Sequence, residues 1–270
     1  MNFSNKIIAI TGGGSGIGAA LAYKVAKLGA RVIIADRNHD AAQSVAAQTD
    51  GLALACDVSE ETNIQTMISE AESQIGPIDI FVSNAGLGRG DPSHAASAPD
   101  EDWMLNWNVH VMAHVWAARA LLPGMIERGH GYFVNVASAA GLLNQIGDAA
   151  YSATKHAAVS FAESISIAHG KDGIGVSVVC PQYVATPLIG LSEEDAKTRE
   201  SLMTAADVAD VVLLGISENR FLVLPHPQVA DYTKLRGEDH GQWITGMQLL
   251  RAKAIATYGK ASAEELYKMI

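Results

Sequence analysis

A doubly wound parallel sheet with helices on both faces is the fold this sequence predicts, and three observations predict it. Short apolar runs alternate with longer segments of helical period through six or seven units. The runs are apolar throughout instead of alternating, as strands buried on both faces must be. The first run leads directly into a glycine cluster that opens a helix, where open α/β sheets carry their ligand loop. With 270 residues, 49% of them hydrophobic and 18% charged, the chain can fill one large core. No linker, repeat or low-complexity tract divides it, so one domain over 1–270 is expected.

In chain order, strands are expected at 6–11 (KIIAIT), 31–36 (RVIIAD), 52–57 (LALACD) and 78–84 (IDIFVSN). Three more follow at 131–138 (GYFVNVAS), 175–181 (GVSVVCP) and 220–224 (RFLVL), about seven in all. Helices lie between them. One runs through GAALAYKVAKLG and stops at Gly29; another opens on Ser59 with an acidic first turn. Beyond about Leu224 the pattern becomes polar and helical, with Trp243, Met247 and Leu250 on one face. That stretch, about 225–270, is expected to be a helical C-terminal extension of the same domain, packed on the body or on another subunit.

A formal net charge of −10 disfavours nucleic acid or an anionic membrane as the main partner. Cys56 and Cys180, the only cysteines, end apolar runs and read as buried reduced thiols. The nine histidines show no ligand spacing, so no metal site is expected. The start of the chain carries no cationic leader, and no uninterrupted apolar stretch reaches the roughly 18 residues of a membrane span. A soluble cytoplasmic protein is therefore expected.

TGGGSGIG (11–18) joins the first strand to its helix. Gly12 permits a tight turn, Gly16 a close backbone approach, and Gly18 tight packing of helix on strand. The helix N-terminus then offers free N–H groups and a positive dipole end to a pyrophosphate. Asp36 ends the second strand, 18 positions beyond Gly18, where a carboxylate accepts from ribose hydroxyls and repels a 2′-phosphate. NAD is therefore favoured. Arg37 keeps NADP open as the less favoured alternative, because a guanidinium there can embrace that phosphate. Asp57, ending the third strand, is a candidate for the adenine amino group or a cap for the helix near Ser59.

At this point the sequence resembles the short-chain dehydrogenase/reductase family over about residues 5–190, on a Rossmann-type sheet. The glycine spacing of TGGGSGIG, NAG at 84–86, NVAS at 135–138 and YSATK at 151–155 stand in that family's order and spacing. The resemblance implies that Asn84 steadies the central sheet and that Gly86 passes close to the cofactor. It extends the cofactor contacts to Ser15 and Ile17 in the loop, Val58 after the third strand, and Ala85. It also implies a catalytic group of Asn, Ser, Tyr and Lys, matched here by Ser138, Tyr151 and Lys155. LNWNVHV offers Asn106 and Asn108 for the fourth member; Asn108, 24 residues after Asn84 and before a valine, is the choice. Its carbonyl would hold a water on the proton path. In PQYVATP (181–187), Pro181, Val184 and Thr186 are expected beside the nicotinamide, with Gln182 where relatives usually carry glycine. The family pattern further implies a homodimer or homotetramer, although the C-terminal stretch departs from the glycine-rich segment that many relatives use for assembly.

A free phenol has a pKa near 10, so its phenolate costs roughly 4 kcal/mol at pH 7. A cation about 4 Å away, at an effective dielectric near 20, contributes roughly as much. Tyr151 and Lys155, four apart, share one helical face, and Lys155 with an oxidised nicotinamide is of the right magnitude to make Tyr151 a usable base. Tyr151 is thus the expected acid/base for hydride transfer between cofactor and a secondary alcohol or ketone, with Ser138 orienting the oxygen. The substrate pocket is expected from 87–102, 139–148 and 183–200, with contacts from Ser138, Leu142, Tyr151, Gln182 and Leu188. Leucines dominate these stretches, and their cations are Arg89, Lys197 and Arg199. A neutral, moderately hydrophobic small-molecule substrate follows. Two alternatives remain open: an NADPH-dependent carbonyl reductase, and a nucleotide-sensing protein without catalysis.

Overall fold

Seven parallel strands form the sheet in the order β3-β2-β1-β4-β5-β6-β9. The computed structural model describes residues 1–197 and 202–269. The first half contains β1 (Ile7–Thr11), α1 (Gly16–Lys27), β2 (Arg31–Asp36), α2 (His39–Thr49), β3 (Leu52–Ala55), α3 (Glu61–Gln74) and β4 (Ile80–Ser83). The second half continues with α4 (Asp100–Trp107), a π-turn (Asn108–Met112), α5 (Ala113–Arg128), β5 (Gly131–Val136), α6 (Ala149–His169) and β6 (Ile174–Val179). After β6 come a two-stranded parallel patch, β7 (Val184–Ala185) with β8 (Met203–Thr204), and between them the short helix α7 (Glu193–Ala196). The helix α8 (Ala205–Ser217) and the edge strand β9 (Leu222–Val223) complete the main sheet.

Each expected strand is present, shorter by one to three residues at one or both ends for most. Their apolar runs are spent on two faces at once. Ala9, Ile33, Phe81, Phe133 and Val178 point to one layer, where they meet Ile64 and Met67 of α3, Ala117 of α5 and Ala162 of α6. Ile8, Ile10, Ile34, Val82 and Val134 point to the other, against Leu21 of α1, Val45 of α2 and Val212 of α8. That division is why no hydrophobic–polar alternation shows in the strands. The order turns outward from β1 on one side and from β4 on the other, and the crevice at the carboxyl ends of those two strands is where such sheets bind ligands.

The continuous helical run Asp100–Arg128 is long and apolar enough by composition to cross a membrane, and 56% of that window is buried in the fold. The chain after β9 forms α9 (Gln228–Glu238), α10 (His240–Tyr258) and α11 (Ala263–Leu266). Val229 packs with Ala139 and Leu143 beside Tyr232 and Trp243, while Leu266 and Ala254 gather Ile146, Tyr183 and Leu250. These helices therefore close over the loop that follows β5.

Candidate active site

The glycine loop sits at the β1/β4 switch point. Gly12 and Gly16 hold φ of +61° and +51°, a region that side chains with a Cβ avoid. A Cβ on Gly12 would lie 2.8 Å from the Ala85 Cα, and one on Gly18 only 2.3 Å from the Gly12 carbonyl oxygen. Gly18 thus acts by packing, while Gly12, Ser15, Gly16 and Ile17 line a cleft of about 430 Å³. No side chain caps the N-terminus of α1, so its first N–H groups remain available to an anion. Asn84 locks the loop to β4: its Nδ2 donates to the carbonyls of Thr11 (2.9 Å) and Gly12 (3.1 Å).

Asp36 faces the same cleft from the end of β2, accepting from the backbone N–H of Gly14 (3.0 Å) and of Asn38 (2.9 Å). Arg37 lines the cleft beside it with an exposed side chain. Asp57 also lines the cleft but turns the chain as well, taking the Ser59 N–H and hydroxyl on Oδ1. Val58, Ala85 and Gly86 continue the wall, and Pro181, Val184 and Thr186 close it from the segment after β6. That segment crosses directly over the loop, because a Cβ on Gly16 would come within 3.3 Å of the Thr186 methyl. The glycines, the uncapped helix and the two strand-end carboxylates fit a dinucleotide.

Ser138, Tyr151 and Lys155 converge at the inner end of this cleft. Asp148 starts α6 by accepting the Tyr151 N–H at 3.0 Å, and one turn later Lys155 lies under the tyrosine ring. Lys155 Nζ is 5.6 Å from the ring centroid and donates to the Val136 carbonyl at 3.0 Å. Lys155 is buried and Tyr151 partly so, and desolvation works against both charged forms. It pushes the Tyr151 phenol up to about 12, against a lowering hydrogen bond with Ser138, and brings the Lys155 ammonium down to about 8. In the protein alone, desolvation therefore outweighs the assistance that Lys155 was expected to lend the phenol.

The Asn108 side chain reaches the Ser59 carbonyl at 3.4 Å, and its own carbonyl accepts the Ala113 N–H that closes the π-turn. His110, two positions on, faces Tyr151. Its Nε2 accepts the Leu87 N–H at 3.2 Å, and its Nδ1 lies 3.0 Å from the Thr154 hydroxyl, with its ring edge-on to Tyr151 at 5.3 Å. Thr154 passes its own proton to the Ala150 or Tyr151 carbonyl, so Nδ1 carries the hydrogen and the imidazole is neutral. Burial, then Lys155 and His114, hold its pKa well below the usual histidine range. Asn106 points elsewhere, donating to the Arg89 and Asp102 carbonyls. A second histidine four residues on, His114, was the available sign that this helix carries buried imidazoles.

A second cavity, of about 480 Å³, opens from Ser138 on the side away from the glycine loop. The loop 139–146 forms one wall, as expected, and Tyr183 is the only residue of 183–200 that lines it among those described. Tyr232, Trp243, Met247 and Leu250 from α9 and α10 supply the opposite wall, with Leu266 and Met269 at the end. No residue of 87–102 takes part, and Arg199 lies outside the described residues. Two of the expected contacts are absent from the lining of this cavity. Leu142 packs between two core clusters and lends its carbonyl to Arg236, leaving Leu143 at the cavity; Leu188, half exposed, lines the nucleotide cleft instead. Gln182 lines both spaces.

A glycine cradle at the strand switch point thus opens onto one cleft with Ser138, Tyr151 and Lys155 at its inner end. The chain belongs to the short chain dehydrogenase family, whose model matches residues 6–197; it is an oxidoreductase family on a fold that binds a nicotinamide cofactor. Among its relatives is epidermal retinol dehydrogenase 2 of Homo sapiens, 31% identical over 83% of this chain and 75% of that protein. Another is the 3beta-hydroxysteroid dehydrogenase of Mediterraneibacter gnavus, 32% identical over 75% of each. Among solved structures, a short chain dehydrogenase/reductase from Burkholderia phymatum in complex with NAD superposes with a TM-score of 0.80. It is 28% identical, over 88% of this chain and 95% of that one.

Proposed function

We propose that this protein interconverts a neutral, moderately hydrophobic secondary alcohol and its ketone using NAD(H), with Tyr151 as the acid/base. One observation carries the reading: Ser138, which lines the nucleotide cleft with Tyr151 and Lys155, also lines a second cavity whose described lining residues are all uncharged. Bound NAD⁺ supplies the hydride acceptor. Tyr151 removes the hydroxyl proton from an alcohol seated against Ser138, and the Ser138 hydroxyl donates to the oxygen as it gains carbonyl character. Lys155, buried beside the ring, offers the positive charge that offsets phenolate formation. An unpaired carboxylate in the second cavity would lose its hydration without a partner, which favours a neutral substrate. The names of the two relatives, a retinol and a hydroxysteroid dehydrogenase, support an alcohol of this kind.

Asp36 supports NAD, because its carboxylate is pinned at the ribose end of the cleft. Use of NADPH is the second reading, carried by Arg37 at the same rim. A homodimer or homotetramer remains the proposed assembly. The test is a screen of secondary alcohols and ketones with each cofactor, followed by Tyr151→Phe on the best substrate. The variant is expected to lose on the order of a thousandfold in kcat while still binding the nucleotide. Unchanged turnover would remove Tyr151 from the chemistry, and a clear NADPH preference would overturn the cofactor assignment.

A further inference from the structure

The ladder between β5 and β6 continues past both strands, through Ala137 N–H to the Val179 carbonyl and Ala139 N–H to the Pro181 carbonyl, each at 2.8 Å. Ser138 and Gln182 therefore stand on neighbouring strand ends, one residue out of register. The backbone at Gln182 is held from behind. His226, buried, accepts the Gln182 N–H on Nδ1 at 3.1 Å and donates from Nε2 to the Tyr183 carbonyl at 3.0 Å. The side chain is held as well, since Gln228 Nε2 donates to Gln182 Oε1 at 3.0 Å. One lone pair of its oxygen is thereby taken, and among the described residues its amide NH₂ has no acceptor; it is offered where nucleotide cleft and second cavity meet.

We propose that Gln182 reads a second, neutral oxygen on the substrate, one or two carbons from the reacting carbon. This rests on the alcohol–ketone reading of the site and narrows it to dioxygenated molecules such as α-alkoxy ketones, hydroxyketones and their alcohols. The reacting oxygen goes to Ser138 and Tyr151, and the neighbouring oxygen accepts from the Gln182 amide. The remainder of the substrate lies along the apolar wall of Trp243, Met247 and Leu250. A carboxylate in the same place would be unmatched, because the amide is uncharged and the described residues that line the cavity include no cation.

The test uses binding, so that it is independent of turnover. 2-Methoxycyclohexanone and 2-ethylcyclohexanone have the same shape, but only the first carries the second acceptor. Each is titrated calorimetrically into the full-length protein saturated with NAD⁺, where the ketone cannot react. The wild type is expected to bind the methoxy ketone about fivefold tighter, as one neutral hydrogen bond gives. Gln182→Met, which keeps length and removes the donor, should bring the ratio to one. Gln228→Leu, which frees the amide to turn, should lower the ratio without abolishing it. Equal affinities in the wild type, no binding of the methoxy ketone, or an unchanged ratio in Gln182→Met would overturn the assignment. Failure of the redox reading would show separately, as turnover that survives Tyr151→Phe.

Discussion

Replacing His110 by phenylalanine tests which residue secures the Tyr–Lys helix to the cofactor loop. Phenylalanine keeps the ring volume and the edge contact with Tyr151, but it accepts nothing from the Leu87 N–H, which now points at the ring from 3.2 Å away. A buried donor left without a partner costs about 1–3 kcal/mol. The Thr154 hydroxyl loses less, since it still donates to the Ala150 or Tyr151 carbonyl. A total near 2 kcal/mol corresponds to a melting temperature lowered by roughly 3–4 °C in a chain of this size. The same change releases Gly86, where a Cβ would lie 3.8 Å from Nε2 and 3.9 Å from Lys155 Nζ, so kcat should fall as well. Asn108→Ala removes only a 3.4 Å bond at a half-buried site and should stay within about 0.5 kcal/mol, with kcat near that of the wild type. Thermal unfolding and steady-state rates on both variants give the answer. A large rate loss in Asn108→Ala, beside an intact His110→Phe, would refute the reasoning.

Two further outcomes follow from the same geometry. His114 is buried, its Nδ1 has no partner among the described residues, and burial with the Lys155 charge lowers its pKa to about 3. It folds neutral, so below about pH 6.5 the unfolded chain binds the extra proton; stability is full above that pH and declines, by up to about 1.4 kcal/mol per unit, as pH falls toward 3. Urea unfolding at pH 7 and pH 5 should show a shallower decline in His114→Phe, and an identical slope would contradict it. Leu250→Trp should fill the second cavity, reducing kcat/KM for a steroid-sized ketone by roughly tenfold or more while cyclohexanone stays within about threefold. Equal losses for both would mean that the large substrate lies elsewhere.

Much of the fold was legible because its signals are local. Uniformly apolar strand runs report burial on two faces, and Gly12 and Gly16 report backbone angles that other residues avoid. Tyr151 and Lys155 were legible through helical period, since α6 is regular where they stand. His110 was not legible in the same way. The π-turn over Asn108–Met112 adds a residue to one turn and rotates the side chains that follow, so an ideal helical period does not show that His110 faces Tyr151. Leu142 and Leu143 are adjacent at the end of a short 3₁₀ turn, and nothing in composition says which one faces inward. The apolar stripe of α10 was visible, but its destination depends on a loop a hundred residues away in the chain.

That stripe has a consequence for how such a protein can change. The proposed acid/base group and the nucleotide cleft lie within residues 6–197, whereas one wall of the second cavity is carried by helices that begin at Gln228. On the proposed function, reaction and selectivity are written on different stretches of polypeptide. A new partner molecule could be acquired by rewriting the tail alone, with the hydride chemistry inherited intact.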